Sequence, residues 1–551
     1  MKLTRVLAAT LLAPFVLAQT PADPDWDALG AQWWAHVQYL ASDELQGRLP
    51  GTPGFELATQ YVVKQFTAIG LKPAGNDGYL QQFNLSSTKL DTENSLAELK
   101  SADKTTPLKL GTEITLNSHV TLTGSSAEIE DAPLVFIGYG LRLPTRHMDD
   151  YAGLDLHGKV VVFYNSAPAR LQGPQRAYAR VAAQRWKYLS AAGAIGMIAI
   201  TPPRTVAPLP PPTPAADAPA APRAPRTPGA GAPPSRPSMA IADPSLDTLA
   251  GLRLNATVPV AQGDVLLAAS GHTMAELKPL VDAGKPLPDF PLNQTIHAVT
   301  AVTQNPPVPT HNVVGLLEGS DSKLKHEYIV ISAHLDHLGV GRPVKGDAIY
   351  NGAMDNASGV ASVIEVAKIL SSGPRPKRSI LFIALTGEEM GELGSAYFAA
   401  KPTVKKSDIV ADLNMDMYLP LFPLRYLEVQ GLAESTLGND ARAVAQLNDI
   451  EVQFDKQPEE NRFIRSDQVN FVAQGIPALA FKFGWTPDSP EMKTFNDWVK
   501  TRYHQPSDDL DQPVDKAAAA QFDAFLAQLA VRVANTPARP AWYPESSFAH
   551  Q

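Results

Sequence analysis

The sequence predicts an α/β protein: a three-layer sandwich around a mixed, largely parallel sheet, with a smaller β-rich domain inserted into it. Two observations carry this expectation. From about Asn312 onward, short continuous apolar runs alternate with segments whose apolar residues recur every three or four positions. That is the pattern of buried strands interleaved with covering helices. Between about 118 and 289 the texture changes to short strand-like runs broken by Gly, Pro and Asp, which reads as a separate unit. The larger domain is therefore expected over 19–117 and 290–551, and the insert over 118–289.

The elements follow in order. "MKLTRVLAATLLAPFVLAQT" has a basic start, an apolar stretch and small residues ahead of Gln19. Residues 1–18 read as a secretory signal peptide, and the expected location is periplasmic or extracellular. The apolar stretch falls short of the roughly 20 residues a membrane span needs, so stable insertion is not expected. "WWAHVQYLASDELQGR" and "GFELATQYVVKQFTAIG" carry helical spacing, with Gly70 as a C-cap, and "GYLQQFNLSST" alternates like a strand. Within the insert, "APLVFIGYG", "GKVVVFYN" and "GMIAIT" are strand-like and surround a helical segment. Residues 202–238 are so rich in Pro and Ala that they cannot form a core, and read as a disordered loop. The strands of the second half are "HNVVGLLEG", "YIVISAHLDHLG", "RSILFIALTGEE", "IVADLNMDMY", "YLEVQG" and "IPALAFKFG". Helices follow at "SGVASVIEVAKILSS" and from Lys516 to about Ala534.

The chain has 551 residues and a formal net charge of -9, spread along its length. No basic face of the kind nucleic acids require is present, and no nucleic-acid partner is expected. There is no cysteine, so neither disulfides nor thiolate ligands enter the argument.

The polar residues just past the strands carry the chemistry. His334, Asp336 and His337 follow "YIVIS"; Asp355 opens a helix; Glu388 and Glu389 follow "ILFIALTG"; Asp416 follows "IVADLN"; and Tyr503 and His504 lie in "TRYHQPSDD". Adjacent glutamates at the mouth of a buried strand repel one another and resist desolvation, so either both reach solvent or something positive sits between them and the core. Singly, each residue has a plainer reading. Asp355 could be an N-cap, Asp416 a buried hydrogen-bonded acid, His504 a surface residue, and His337 reads as structural. Together, imidazoles and carboxylates without thiols at one sheet edge suit hard or borderline divalent cations.

The motifs "AHLDH", "GAMDNASGVA", "LTGEEMGELGS", "LNMDM" and "YHQPSDD" resemble those of co-catalytic di-zinc aminopeptidases related to secreted bacterial leucyl aminopeptidases. "LASDELQGRLPGTPG" and "RSDQVNFVAQGIPAL" extend the likeness. The resemblance implies two Zn²⁺ per chain, with Mn²⁺ or Co²⁺ compatible with the same donors. One ion would be held by His334, Asp355 and Asp416, and the other by Asp355, Glu389 and His504. Glu388 would be the general base, Asp336 the carboxylate orienting His334, and Tyr503 the group steadying the oxyanion. The implied substrates are peptides with a free N-terminus. The insert, through "IGYGLRLPTRHMDDYAGLDLHGKVVVF" and "AAGAIGMIAI", is similar to protease-associated domains. Two positions depart from the pattern: Gln468 stands where relatives often carry His, and Glu392 where Leu is usual. A carboxypeptidase or dipeptidase on the same fold is an alternative, with Arg425 or Arg465 to receive a carboxylate. A glutaminyl cyclase and an inactive peptide-binding, receptor-like protein are further alternatives.

Overall fold

The computed structural model of the chain describes residues 24–102, 104–118, 124–144, 147–171, 173–203, 238–546 and 548–549. The signal segment 1–18 and nearly all of the Pro/Ala-rich segment lie outside the described residues. Among those described, no helix is long and apolar enough to cross a membrane.

The larger domain is a three-layer α/β sandwich. Its main strands run in the order Ser238–Ile241, Leu80–Leu90, Val308–Leu317, Ser379–Leu385, Tyr328–His334, Ile409–Asn414, Ala478–Phe483, Tyr426–Gln430. The central four, from Ser379–Leu385 to Ala478–Phe483, are parallel, and the flanking strands join antiparallel. Parallel strands need both faces covered, and the sequence supplies this by alternation. Ile380, Phe382 and Ala384 face a core formed with helices Trp26–Leu40, Pro53–Ile69, Ser358–Ser372 and Lys516–Asn535. Leu381, Ile383 and Leu385 face the opposite core with Phe398 and Phe471.

The insert has its own sheet. Ser126–Ile137, Val160–Tyr164, Gly196–Thr201 and Leu254–Pro259 run parallel, and the 16-residue strand Asp289–Gln304 pairs antiparallel with the first. The boundaries differ from the sequence expectation of 118–289. Ala97, Leu99, Leu108, Ile114 and Leu116 pack in the insert core, as do Leu292, Ile296 and Ala298. The long strand crosses the expected boundary at 290 and reaches Leu90 of the larger domain through Val302. Ser238–Ile241, expected within the insert at and just past the end of the Pro/Ala loop, instead forms an edge strand of the larger sheet against Leu85–Thr88. Long-range pairing set these boundaries, and periodicity carries no record of which sheet a strand joins.

Candidate metal centre

Register brings the polar residues to one edge. His334 ends its strand opposite Leu385, and Ser332 lies opposite Asn414. The residues just beyond these strand ends, Glu388, Glu389 and Asp416, therefore emerge together at the carboxyl ends of parallel strands, where α/β sites gather. Gly387 (φ 68°) turns the chain into the short helical turn Glu388–Met390. Gly352 (φ +65°) is required by space: a Cβ there would lie 2.2 Å from the Asp355 carbonyl oxygen and 2.5 Å from His337 Cγ.

Asp355 is the hub. Its Oδ1 lies 3.3 Å from His334 Nε2, and its Oδ2 lies 3.3 Å from His504 Nε2. His334 Nε2 is also 3.5 Å from Asp416 Oδ1, and His504 Nε2 is 3.3 Å from Glu389 Oε2. All five residues assigned as ligands thus converge. The structure adds His337, whose Nδ1 is 2.7 Å from Glu389 Oε1. One donor atom each from His334, Asp355 and Asp416 can be chosen within 4.8 Å of one another, and likewise from His337, Asp355 and Glu389. His337, read as structural from sequence, belongs to this cluster. Its three-residue spacing from His334 was the available signal.

The donors fit a pair of divalent cations on a direct observation. Asp355 Oδ2, Asp416 Oδ1, His334 Nε2 and His337 Nε2 are buried without a hydrogen-bond partner, while His337 Nδ1 and Glu389 Oε1 face only each other. Orphaned polar atoms at one point are costly unless something positive completes them.

Charges in the cluster are strongly perturbed. Burial lowers His334, but Glu388, Asp355 and Asp416 outweigh it and hold the imidazole well above its ordinary value. Burial likewise opposes the charge on His504, yet Glu389 and Asp355 raise it to about 10. Burial would lift Glu389 and Asp355; the surrounding imidazoles instead hold Glu389 near 2 and Asp355 well below the carboxylate range. Glu388 goes the other way. Burial lifts it well above its usual range, reinforced by Asp416, Glu389 and Glu392.

The supporting residues correct and extend the sequence reading. Asp336 was expected to orient His334 with its carboxylate, yet Oδ1 is 4.0 Å from His334 Nδ1. The backbone carbonyl of Asp336 meets that nitrogen at 3.1 Å. Its carboxylate accepts from the backbone N–H groups of Glu388 (3.1 Å) and Glu389 (3.3 Å), clamping the paired-glutamate turn. Burial raises this acid to about 6. Asp355 does not cap the following helix, whose N-cap is Ala357. Asp508 positions Asp355, accepting from the N–H groups of Met354 and Asp355, both at 2.9 Å. Arg48, only 1% exposed, donates to the carbonyls of Leu40, Leu335, Asn351 and Gly352, tying the His334 strand end to the Asp355 loop. Neither was singled out from sequence. Gln468 is scaffolding: it accepts from Asn414 (2.7 Å) and donates to the Phe463 carbonyl (2.8 Å). Tyr503 stacks on the His504 ring at 3.9 Å and lines the cleft with Glu388 and Asp416.

Part of the chain is similar to known proteins. Residues 312–530 match the family described as Peptidase family M28, a span containing every candidate donor above but not Arg48. Over 230 residues the chain is 27% identical to aminopeptidase YwaD of Bacillus subtilis (strain 168), covering 39% of this chain and 45% of that protein. It is 36% identical over 113 residues to a probable zinc metalloprotease of Pyrenophora teres f. teres, covering 20% and 23%. It is 28% identical over 133 residues to carboxypeptidase Q of Xenopus laevis, covering 24% and 26%. The matches thus span about a quarter to a half of these relatives' lengths. Among solved structures, an aminopeptidase from Aneurinibacillus sp. strain AM-1 aligns over 93% of this chain and 95% of its own, at 19% identity and TM-score 0.44. The M28 segment holds the whole donor set, and the insert lies outside it.

Proposed function

We propose that this chain is an exported zinc-dependent aminopeptidase that removes N-terminal residues from peptides. The observation that carries the reading is the convergence of buried, unpartnered imidazole and carboxylate atoms in two groups that share Asp355. The M28 match and the names of the relatives, aminopeptidase and zinc metalloprotease, support it.

His334, Asp355 and Asp416 would hold one zinc, and Asp355, Glu389 and His504 a second, with His337 beside Glu389. When bound, the ions would supply the positive charge that polarises a scissile carbonyl and acidifies water. Glu388, which lines the cleft beside Asp355 and Asp416, takes the proton from the attacking water and passes it to the departing amine. The Tyr503 phenol stays protonated, because burial and nearby carboxylates raise it. It can therefore donate a hydrogen bond to the developing oxyanion. Asp336 holds the turn so that Glu388 and Glu389 diverge. The surplus of carboxylates attracts a free α-amino group.

Elemental analysis coupled to an aminoacyl-anilide panel tests this: two zinc ions per chain and hydrolysis that fails on N-blocked substrates are expected. Metal-free protein that stays inert after zinc addition overturns it. The second reading, a carboxypeptidase, draws on Arg465, which lines the cleft, whereas Arg425 is not among the lining residues. Export is tested by sequencing the N-terminus of the secreted protein, expected to begin at Gln19.

A further inference from the structure

The cleft does not stop at the metal donors. It continues into an arm lined by Gln430, Arg462, Arg465, Lys482, Phe495 and Val499. Lys482 projects from one of the four central strands and is only 5% exposed. Its Nζ donates to the carbonyls of Asp416 and Met417, both at 3.0 Å, which leaves one N–H for another acceptor. Its cross-strand neighbour is Glu428, but that carboxylate accepts instead from Gln430 Nε2 (3.2 Å) and the Lys456 N–H (3.0 Å). Arg462 gives one Nη2 bond to Gln457 Oε1 (2.7 Å), and its guanidinium lies 5.6 Å from the Phe495 ring centroid. Arg465 donates to the Glu460 carbonyl. Among the described residues, none of the three cations has a carboxylate within ion-pair distance. Asp355, Glu388 and Asp416 line the same cleft, and Asp416, Glu428 and Asp355 act on Lys482 from beyond ion-pair distance. Asp355 and Asp416 belong to the metal-donor set, however, which leaves a nearly buried ammonium held directly by neutral carbonyls, with two guanidinium groups on the same cleft. Its complement is an anion with the flat, two-oxygen shape of a carboxylate.

We infer that this arm is a carboxylate subsite, in which Lys482 and Arg462 receive an acid carried by the residue next to the scissile bond. The inference rests on the hydrolytic reading of the adjoining centre. The acid has two sources: the side chain of an N-terminal Asp or Glu, or the α-carboxylate of a short peptide. The loop that carries both arginines also packs against the insert, where Arg176 Nη2 meets Glu459 Oε2 at 2.6 Å and Tyr178 joins Phe463 and Ile464. A Cβ on Gly173 would lie 2.4 Å from the Pro458 carbonyl oxygen, so the two segments approach as closely as backbones allow. The insert therefore sets the position of the subsite wall.

The test is calorimetric titration of the zinc-loaded protein with three amines: glutamic acid α-amide, norleucine and norleucinamide. Binding of the first at least about tenfold tighter than norleucinamide supports the side-chain acid; the same advantage for norleucine supports the α-carboxylate. In either case Arg462→Met is expected to shrink the advantage at least about tenfold. Lys482→Met should do the same, and if that buried variant fails to fold, the half-buried Arg462 decides. Equal binding of all three probes overturns the subsite, as does an advantage undiminished in Arg462→Met, which assigns it to the metals. The ratio of kcat/KM for Glu- over Leu-anilide separates the two readings. Hydrolysis without acid preference in binding sinks the subsite alone. Acid preference in binding without any hydrolysis keeps the subsite and sinks the peptidase.

Discussion

Strand Val160–Tyr164 of the insert and strand Ser379–Leu385 of the M28 domain are alike in character. Both are fully buried and have a parallel neighbour on each side or on one, and both alternate between two apolar cores: Val160 and Val162 against Val161 and Phe163, Ile380 and Phe382 against Leu381 and Ile383. They differ in what comes next. The insert strand runs into Asn165 and Ser166, and its neighbours into Gly138 and Pro202, whereas the M28 strand runs into Glu388 and Glu389. Both candidate cation clusters found among the described residues belong to the M28 sheet. Strand interiors decide that a sheet forms, and the residues just beyond them decide what the sheet can do.

This contrast can be broken in four ways. The largest effect is expected from Asp355→Ala, which removes the donor shared by both groups. At least one zinc per chain should be lost and hydrolysis with it, read by elemental analysis; unchanged stoichiometry would contradict the shared role. Glu388→Gln should keep both ions and lower turnover by about 10²–10⁴-fold, the usual range for a general base. Full activity at full metal content would remove Glu388 from the mechanism. Phe136→Ala acts on the other region. Phe136 is 0% exposed in the insert core, with the Phe290 ring stacked 5.0 Å away. Its loss should cost about 3–5 kcal/mol of insert stability by denaturant unfolding while zinc content stays intact. Loss of zinc in that variant would show that the regions do not fold separately enough to be compared.

The smallest effect concerns Asp150, in the insert. Burial raises its carboxyl to about 6 even though it accepts from the Leu141 N–H. A carboxyl that holds its proton more tightly folded than unfolded favours the fold at low pH. That contribution, up to about 2–3 kcal/mol, is lost as pH rises through the interval from about 4 to about 6. Hydrogen exchange of Val160–Tyr164 should report the loss, and Asp150→Asn should flatten it. An unchanged pH profile would assign the dependence elsewhere.

The legible part of the molecule was what local pattern encodes. The uninterrupted apolar runs gave the strands, and the carboxylates and imidazoles placed after them gave His334, Asp355, Glu388, Glu389, Asp416 and His504. What escaped depends on contacts between distant segments. Asp508 acts on Asp355 across 153 positions, and Arg48 reaches Asn351 and Gly352 across 303 and 304. Nothing in the neighbourhood of either residue announces its partner. The Asp336 carboxylate meets the N–H groups of Glu388 and Glu389, and its backbone carbonyl meets His334; spacing shows that an acid is near a histidine without showing which of its oxygens faces the ring. His337 reads as structural because its three-residue spacing from His334 shows no role, and only the fold brings it to Glu389.

The edge strand Ser238–Ile241 makes the insert something other than a detachable cassette. Met239 and Ile241 rest on Phe83, Leu85, Leu393 and Met390, the last of these inside the turn that begins with Glu388. Exchange of this module between chains by recombination would have to carry those four residues with it or leave the underside of that turn bare. A twist of the module as a whole has, through the same strand, a mechanical lever on the proton-carrying glutamate.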